Sequence, residues 1–153
     1  MAPSSKPVAS GPDTTFDGFA AAWEAFFAAI RQARGRATQS TGLTLSQYLL
    51  LRALEGGGDL RIGELAVAAE VAPPTATRML AALEREGIVE RRPSDRDGRA
   101  ITVRLTALGK RRLAAKQKLV DGKRRALYES LSGEERSQAE RLLGRLADLV
   151  EEL

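Results

Sequence analysis

IVERRPSDRDGRAITVRLT, residues 88–106, is the stretch whose reading decides the fold. Ile88 to Arg92 and Ala100 to Leu105 are β-prone, and the SDRDG insert between them carries charges and a glycine that suit an exposed tip better than a core. The stretch reads as a β-hairpin with arginines at its end. Immediately before it, PPTATRMLAALEREG (73–87) is an amphipathic helix opened by proline and stopped by Gly87, and RIGELAVAAEV (61–71) is a second, shorter helical stretch. Helix, turn, helix and basic hairpin in this order make an arrangement suited to reading DNA.

Charge supports that reading. The chain of 153 residues holds 24 Lys and Arg against 20 Asp and Glu, a net charge of +4. Residues 71–112 alone hold ten against five, a net of +5, so the remainder stands at −1. Positive charge gathered on one supersecondary unit is what a phosphate backbone requires, because each neutralised phosphate releases counterions. There is no cysteine and no histidine. Disulfides, thiolate chemistry, Ser-His-Asp and Cys-His arrangements and the usual zinc sites are thereby excluded, and no paired carboxylate site stands out. The chain is read as no enzyme, and no cofactor or metal is expected. No apolar run approaches the roughly 20 residues that a membrane helix needs, and MAPSSKPVASGPD lacks the apolar centre of a signal peptide. A cytoplasmic protein with no membrane partner is expected.

Around the central unit, residues 1–13 read as a flexible tail rich in Pro, Ser, Ala and Gly. Thr15 to Arg36 reads as a helix on which Phe16, Phe19, Trp23, Phe26, Phe27 and Ile30 form one broad apolar stripe. A lone helix cannot bury such a stripe, so it packs on this chain or on a partner. After a polar break at Thr38 to Gly42, LTLSQYLLLRALEGGG gives a helix with a Thr44/Gln47 capping box, ended by the glycines Gly56 to Gly58. Leu45, Tyr48, Leu49, Leu51 and Leu54 are its expected core residues, with Tyr48 alternatively lining a pocket. Ile62, Leu65, Ala66 and Ala69 form the buried face of the next helix, and Val71 and Ala72 the turn. In the helix opened by Pro73, Ala76, Met79, Leu80 and Leu83 face inward, while Pro74, Thr75, Thr77 and Arg78 lie at its outward start. That first turn is the part a helix-turn-helix inserts into the major groove. Arg78 reaches a guanine edge or a phosphate there, or else pairs with Glu84 or Glu86 on the surface. Thr106 opens a long helix bearing Lys110, Arg111 and Arg112. Ser132 and Glu135 form another capping box, and Ala139, Leu142, Leu143, Leu146, Leu149 and Val150 an apolar face on a last helix with no evident partner in so small a domain.

With these residues in view, LTLSQYLLLRAL followed by IGELAVAAEVAPPTATRMLAALEREGIVERRPSDRDGRAITVRLTALGKRRL resembles the winged helix-turn-helix of the MarR family of bacterial transcription regulators. The resemblance covers Leu43 to Leu113, and rests on Thr77-Arg78, LExxGIV at Leu83 to Val89, Asp97-Gly98-Arg99, and V-x-LT-x-x-G from Val103 to Gly109. It implies a mainly α fold with a small β-hairpin wing. The units would be an N-terminal dimerisation helix and linker (14–42), a DNA-binding domain (43–109) and C-terminal dimerisation helices (110–153). It implies Arg99 as the wing arginine entering the minor groove, Asp97 as its carboxylate support, and Arg91, Arg92 and Arg96 as backbone contacts. It further implies a homodimeric, sequence-specific repressor of a pseudo-palindromic operator whose half-sites lie about one helical turn apart. A small aromatic or phenolic effector would alter the spacing of the two recognition helices, with Trp23, Phe26, Phe27, Tyr48 and Arg52 as candidate pocket residues. Where the family often has a serine cap, this chain has Ala72, so that cap would come from water, Thr75 or a DNA phosphate. A non-specific or architectural DNA-binding protein and a winged-helix module for protein contacts remain the alternatives.

Overall fold

The computed structural model describes residues 15–56, 59–94, 98 and 100–152. Its elements run α1 (Phe16–Gly35), α2 (Leu45–Arg52), β1 (Leu60–Arg61), α3 (Ile62–Ala68), α4 (Pro73–Arg85), β2 (Val89–Pro93), β3 (Ile101–Leu105), α5 (Ala107–Ser130) and α6 (Gly133–Glu151). The fold is mainly α with a small antiparallel sheet, as expected. The sheet has the order β1-β3-β2, and so contains a strand that the sequence reading did not include. That strand is Leu60–Arg61, which pairs with Val103 and Thr102 of β3. Two residues are too short for any period-2 signal, and only the partner strand reveals them.

Three helices begin as their sequences predict. Thr44 and Gln47 cap α2 reciprocally, Ser132 and Glu135 do the same for α6, and the Thr106 hydroxyl accepts the Gly109 N–H at the start of α5. The end of α2 differs from expectation. It stops at Arg52 rather than at Gly56 to Gly58, because Leu54 and Glu55 donate to the carbonyls three residues back and tighten the chain into turns. Tyr48, Leu51 and Leu54 are buried and Leu45 packs against them, as expected, but one position differs. Leu50 is fully buried and Leu49 is exposed, since the stretch YLLL contains more leucines than one helical stripe can hold.

The core sits inside the winged unit. Leu43, Tyr48, Leu50, Leu51 and Leu54 meet Leu65 and Ala66 of α3, Ala76, Leu80 and Leu83 of α4, Val89 and Val103 of the sheet, and Leu113 of α5. At the end of α3 the turn begins earlier than Val71. Glu70 adopts a left-handed conformation (φ 52°), with its N–H on the Val67 carbonyl and that of Val71 on the Ala66 carbonyl. This is a Schellman stop with a glutamate where glycine is usual, a strain of about 1 kcal/mol. At the end of α4 the same stop is unstrained. Gly87 (φ 68°) donates to the Glu84 carbonyl and Ile88 to that of Leu83, with the two buried side chains Leu83 and Ile88 supplying the accompanying apolar contact.

The corner between α4 and β2 is locked to α5. The Thr106 hydroxyl donates to the Gly87 carbonyl at 2.6 Å, and the Thr106 N–H to the Ile88 carbonyl at 3.1 Å. A Cβ on Gly109 would stand 2.0 Å from that same Ile88 oxygen. Gly109 is therefore required by the approach of a helix to a backbone carbonyl. Gly109→Ala is expected to destabilise the fold by about 2 kcal/mol or more in urea unfolding, the overlap outweighing the helix propensity that alanine adds. Gly63→Ala, with open space around its Cβ, is expected to lose nothing by the same measurement.

Candidate nucleic-acid interface

The interface is built around the start of α4. Ala69 to Ala72 forms the turn, and Pro73 and Pro74 open the helix. Neither proline has an N–H, and the next two donors, Thr75 and Ala76, both bond to the Ala72 carbonyl at 2.9 and 3.1 Å. The helix start thus needs neither water, nor the Thr75 hydroxyl, nor a phosphate as its cap. What it turns outward is side chains. Pro74, Thr77 and Arg78 are exposed and Thr75 is half-buried, whereas Ala76, Leu80 and Leu83 are buried and Met79 packs against them. The Thr77 hydroxyl donates to the Pro73 carbonyl at 2.9 Å, which leaves its oxygen free to accept.

Arg78 does not pair with the carboxylates considered for it. Glu84 lies 3.2 Å from Arg91, and Glu86 lies 3.4 Å from Arg112. Among the described residues Arg78 has no ion pair, and its guanidinium extends from the exposed face of α4.

The base of the hairpin follows the predicted pairing, shifted by one residue. β2 spans Val89–Pro93 and β3 Ile101–Leu105, with Arg91 opposite Val103 and Arg92 opposite Thr102. The Ser94 N–H donates to the Ala100 carbonyl at 2.7 Å and closes the visible part of the hairpin. Of the residues assigned to the tip, Arg96, Asp97 and Arg99 lie outside the described residues. Arg91 and Arg92 are both held by carboxylates. Arg91 meets Glu84, while Arg92 at 3.5 Å shares Glu90 with Arg104, which hydrogen-bonds it. The Arg104 hydrogen bond, with the charges of Arg104 and Arg92, holds the Glu90 carboxyl below its ordinary pKa against desolvation. Lys110 and Arg111 are exposed on the first turns of α5, Lys110 beside Glu90 and Arg104 of the wing base and Arg111 beside Gln39 to Gly42.

Behind the winged unit, Lys116 of α5 ties down the segment that leads into α2. Its ammonium is buried and donates to the Leu43 carbonyl at 3.0 Å and to the Thr38 hydroxyl. Burial pushes its pKa down. This residue was not picked out in the sequence, because a lysine in a basic helix carries no sign that it will be enclosed.

The candidate pocket residues fall into two groups. Trp23 stacks obliquely on Phe27 at 4.8 Å and lies 6.2 Å from Phe19, and Phe26 meets Phe27 edge-on at 5.6 Å. Trp23 lines a groove of about 530 Å³ between α1 and α6, with Phe16, Phe19, Leu142, Leu146 and Leu149. Tyr48 is in the core instead. Its hydroxyl donates to the Gln117 side chain, and the Arg52 guanidinium stands 5.8 Å from its ring centre. Neither α1 nor α6 has a buried residue, and Phe16, Phe19, Phe26, Leu142, Leu143 and Val150 are largely exposed.

A winged unit with this order of elements can be compared directly with known proteins. Residues 43–101 match the model of the MarR family. An HTH-type transcriptional regulator of Mycobacterium leprae is 35% identical over 130 residues, which cover 80% of this chain and 82% of that one. The chain belongs to the MarR family. The HTH-type transcriptional repressor YetL of Bacillus subtilis is also 35% identical, over 117 residues that make up 73% of this chain and 66% of that protein. Among solved structures, Streptococcus pneumoniae FabT in complex with DNA superposes with a TM-score of 0.74 at 18% identity, covering 90% of this chain and 99% of FabT. That likeness extends the shared fold beyond the winged unit to the flanking helices. As a MarR-family protein the chain is a transcription regulator and not an enzyme. Among the described residues, no helix is long and apolar enough to cross a membrane.

Proposed function

We propose that this regulator is a cytoplasmic, homodimeric repressor that binds a pseudo-palindromic operator and releases it on binding a small aromatic or phenolic effector. The observation that carries the DNA-binding part is the outward first turn of α4, where Arg78 stands exposed while the nearby carboxylates are taken by other arginines. Pro74, Thr75, Thr77 and Arg78 enter the major groove, Arg78 reading a guanine edge. Arg99, supported by Asp97, enters the adjacent minor groove, where narrow walls concentrate negative potential. Arg92 and Arg96 contact phosphates.

The dimer reading rests on the uncovered apolar faces of α1 and α6, on which Phe16, Phe19, Phe26, Leu142, Leu143 and Val150 stand exposed. A second copy covering them gives the two-fold symmetry that a pseudo-palindrome needs. Repression is supported by the name of YetL and by simple occlusion: a dimer spanning two half-sites covers the promoter segment between them. The effector reading draws on the groove beside Trp23, whose apolar walls suit a planar ring. A ligand there favours one spacing of the winged units over another, and lowers DNA affinity by its preference for the wrong spacing.

Two substitutions test the DNA contacts. Arg99→Ala is expected to weaken duplex binding in a mobility-shift titration by about tenfold or more, with dimerisation and thermal stability unchanged; undiminished affinity would remove the wing assignment. Arg78→Ala is expected to reduce discrimination between the selected operator and random DNA by about 1 to 3 kcal/mol. Equal losses on both duplexes would make Arg78 a phosphate contact instead.

A further inference from the structure

The family resemblance places Arg91 among the arginines that touch the DNA backbone, but its position in the sheet points elsewhere. Side chains alternate along a strand, and residues directly opposite each other share a face. Arg91 lies opposite Val103 and two residues from Val89, both buried in the core. Arg92, opposite Thr102, belongs to the other face, together with Glu90 and Arg104. Arg91 is therefore the arginine on the core side of the wing base. Its Nε is fully enclosed and stands 3.2 Å from Glu84 Oε2, an ion-pair contact whose angle is not that of a hydrogen bond.

Glu84 sits in the last turn of α4, the helix whose first turn carries Arg78, and Gly87 between them makes the corner. The Glu84–Arg91 pair thus spans the α4–β2 bend from one arm to the other. We propose that Arg91 is a positioning residue: paired with Glu84, it sets the angle of the wing to the recognition helix, so that both reach one duplex, and it gives no phosphate contact. The pair lies farther out on the strand than the Thr106 and Gly87 hydrogen bonds, and so resists the bending of β2 that those bonds leave free. Because Arg91 spends its charge on Glu84, the wing's attraction for DNA comes from other cations. The inference rests on the DNA-binding reading proposed for this chain.

The test uses the full-length protein and the tightest duplex recovered from it by in vitro selection, with binding measured by fluorescence anisotropy over a range of salt. Glu84→Gln and Arg91→Gln are each expected to weaken binding by about tenfold, to be no worse when combined, and to leave the slope of log Kd against log salt as in the wild type. The exchanged pair, Glu84→Arg with Arg91→Glu, is expected to regain most of the affinity, and amide exchange in β2 and β3 to rise in the single and combined Gln variants but not in the exchanged pair. Arg91→Lys, which keeps the charge, covers the case in which Arg91→Gln does not fold; weak binding with a wild-type salt slope supports the positioning role. The proposal is overturned if the Arg91 variants lower the salt slope by about one phosphate contact while Glu84→Gln binds as well as or better than the wild type. It is equally overturned if Glu84→Gln changes neither affinity nor wing exchange. A wild-type protein that selects no duplex would remove the DNA-binding reading itself, an outcome distinct from a wild type that binds and a Glu84 variant that is indifferent.

Discussion

The winged unit depends on one close approach, that of Gly109 to the Ile88 carbonyl. Where an alanine methyl would collide, the first turn of α5 rests on the backbone at the start of β2. Thr106 serves both sides of this contact, capping α5 through Gly109 and donating to the carbonyls of Gly87 and Ile88. Two motifs separated in sequence, LExxGIV and LTxxG, are thereby explained as one joint. The first ends α4 in a left-handed glycine and turns the chain into the sheet; the second starts α5 against that turn. α4, the hairpin and α5 thus meet at a single junction made of backbone groups and the Thr106 hydroxyl.

Charge is distributed around this joint in two classes. Arg91 is paired with Glu84 and Arg112 with Glu86, whereas Arg92 and Arg104 share the single carboxylate of Glu90, so the wing base is neutralised only in part and keeps one positive charge on the face of Arg92. Arg78, Lys110 and Arg111 are exposed. Exposed pairs of this kind add little stability. Their effect is to hold side chains in place and to leave a subset of cations for a partner. The net +5 of residues 71–112 already subtracts these glutamates; among the described residues of the segment, the cations without a carboxylate partner are Arg78 and Arg85 on α4 and Lys110 and Arg111 at the start of α5.

Much of this was legible in the sequence, and the failures have physical reasons. Capping boxes at Thr44 and Ser132, the proline start of α4 and its Gly87 stop are local signals, written in residues three or four apart. The hairpin was legible for the same reason, although β1 was not, since two residues acquire strand character only from Val103 and Thr102 across the sheet. Leu49 and Leu50 could not be told apart within YLLL, since only the packing of α2 into the core decides which of two adjacent leucines is enclosed. Glu70 hid the stop of α3, because the left-handed residue there is not a glycine. Nor did sequence distinguish Arg91 from Arg92: both are arginines in a basic hairpin, and only register assigns one to the core side. Among the candidate pocket residues, Trp23 lines a groove, whereas Tyr48 is held in the core by Gln117, a partner 69 positions away.

The uncovered faces of α1 and α6 and the outward turn of α4 belong to one design if two copies present two recognition helices at a fixed separation. Sequencing of duplexes selected from a random pool by the full-length protein tests this most directly. The expected outcome is a two-fold symmetric consensus whose half-sites are centred about one helical turn, or 10 base pairs, apart. Recovery of a single asymmetric half-site, or of no consensus at all, would contradict it.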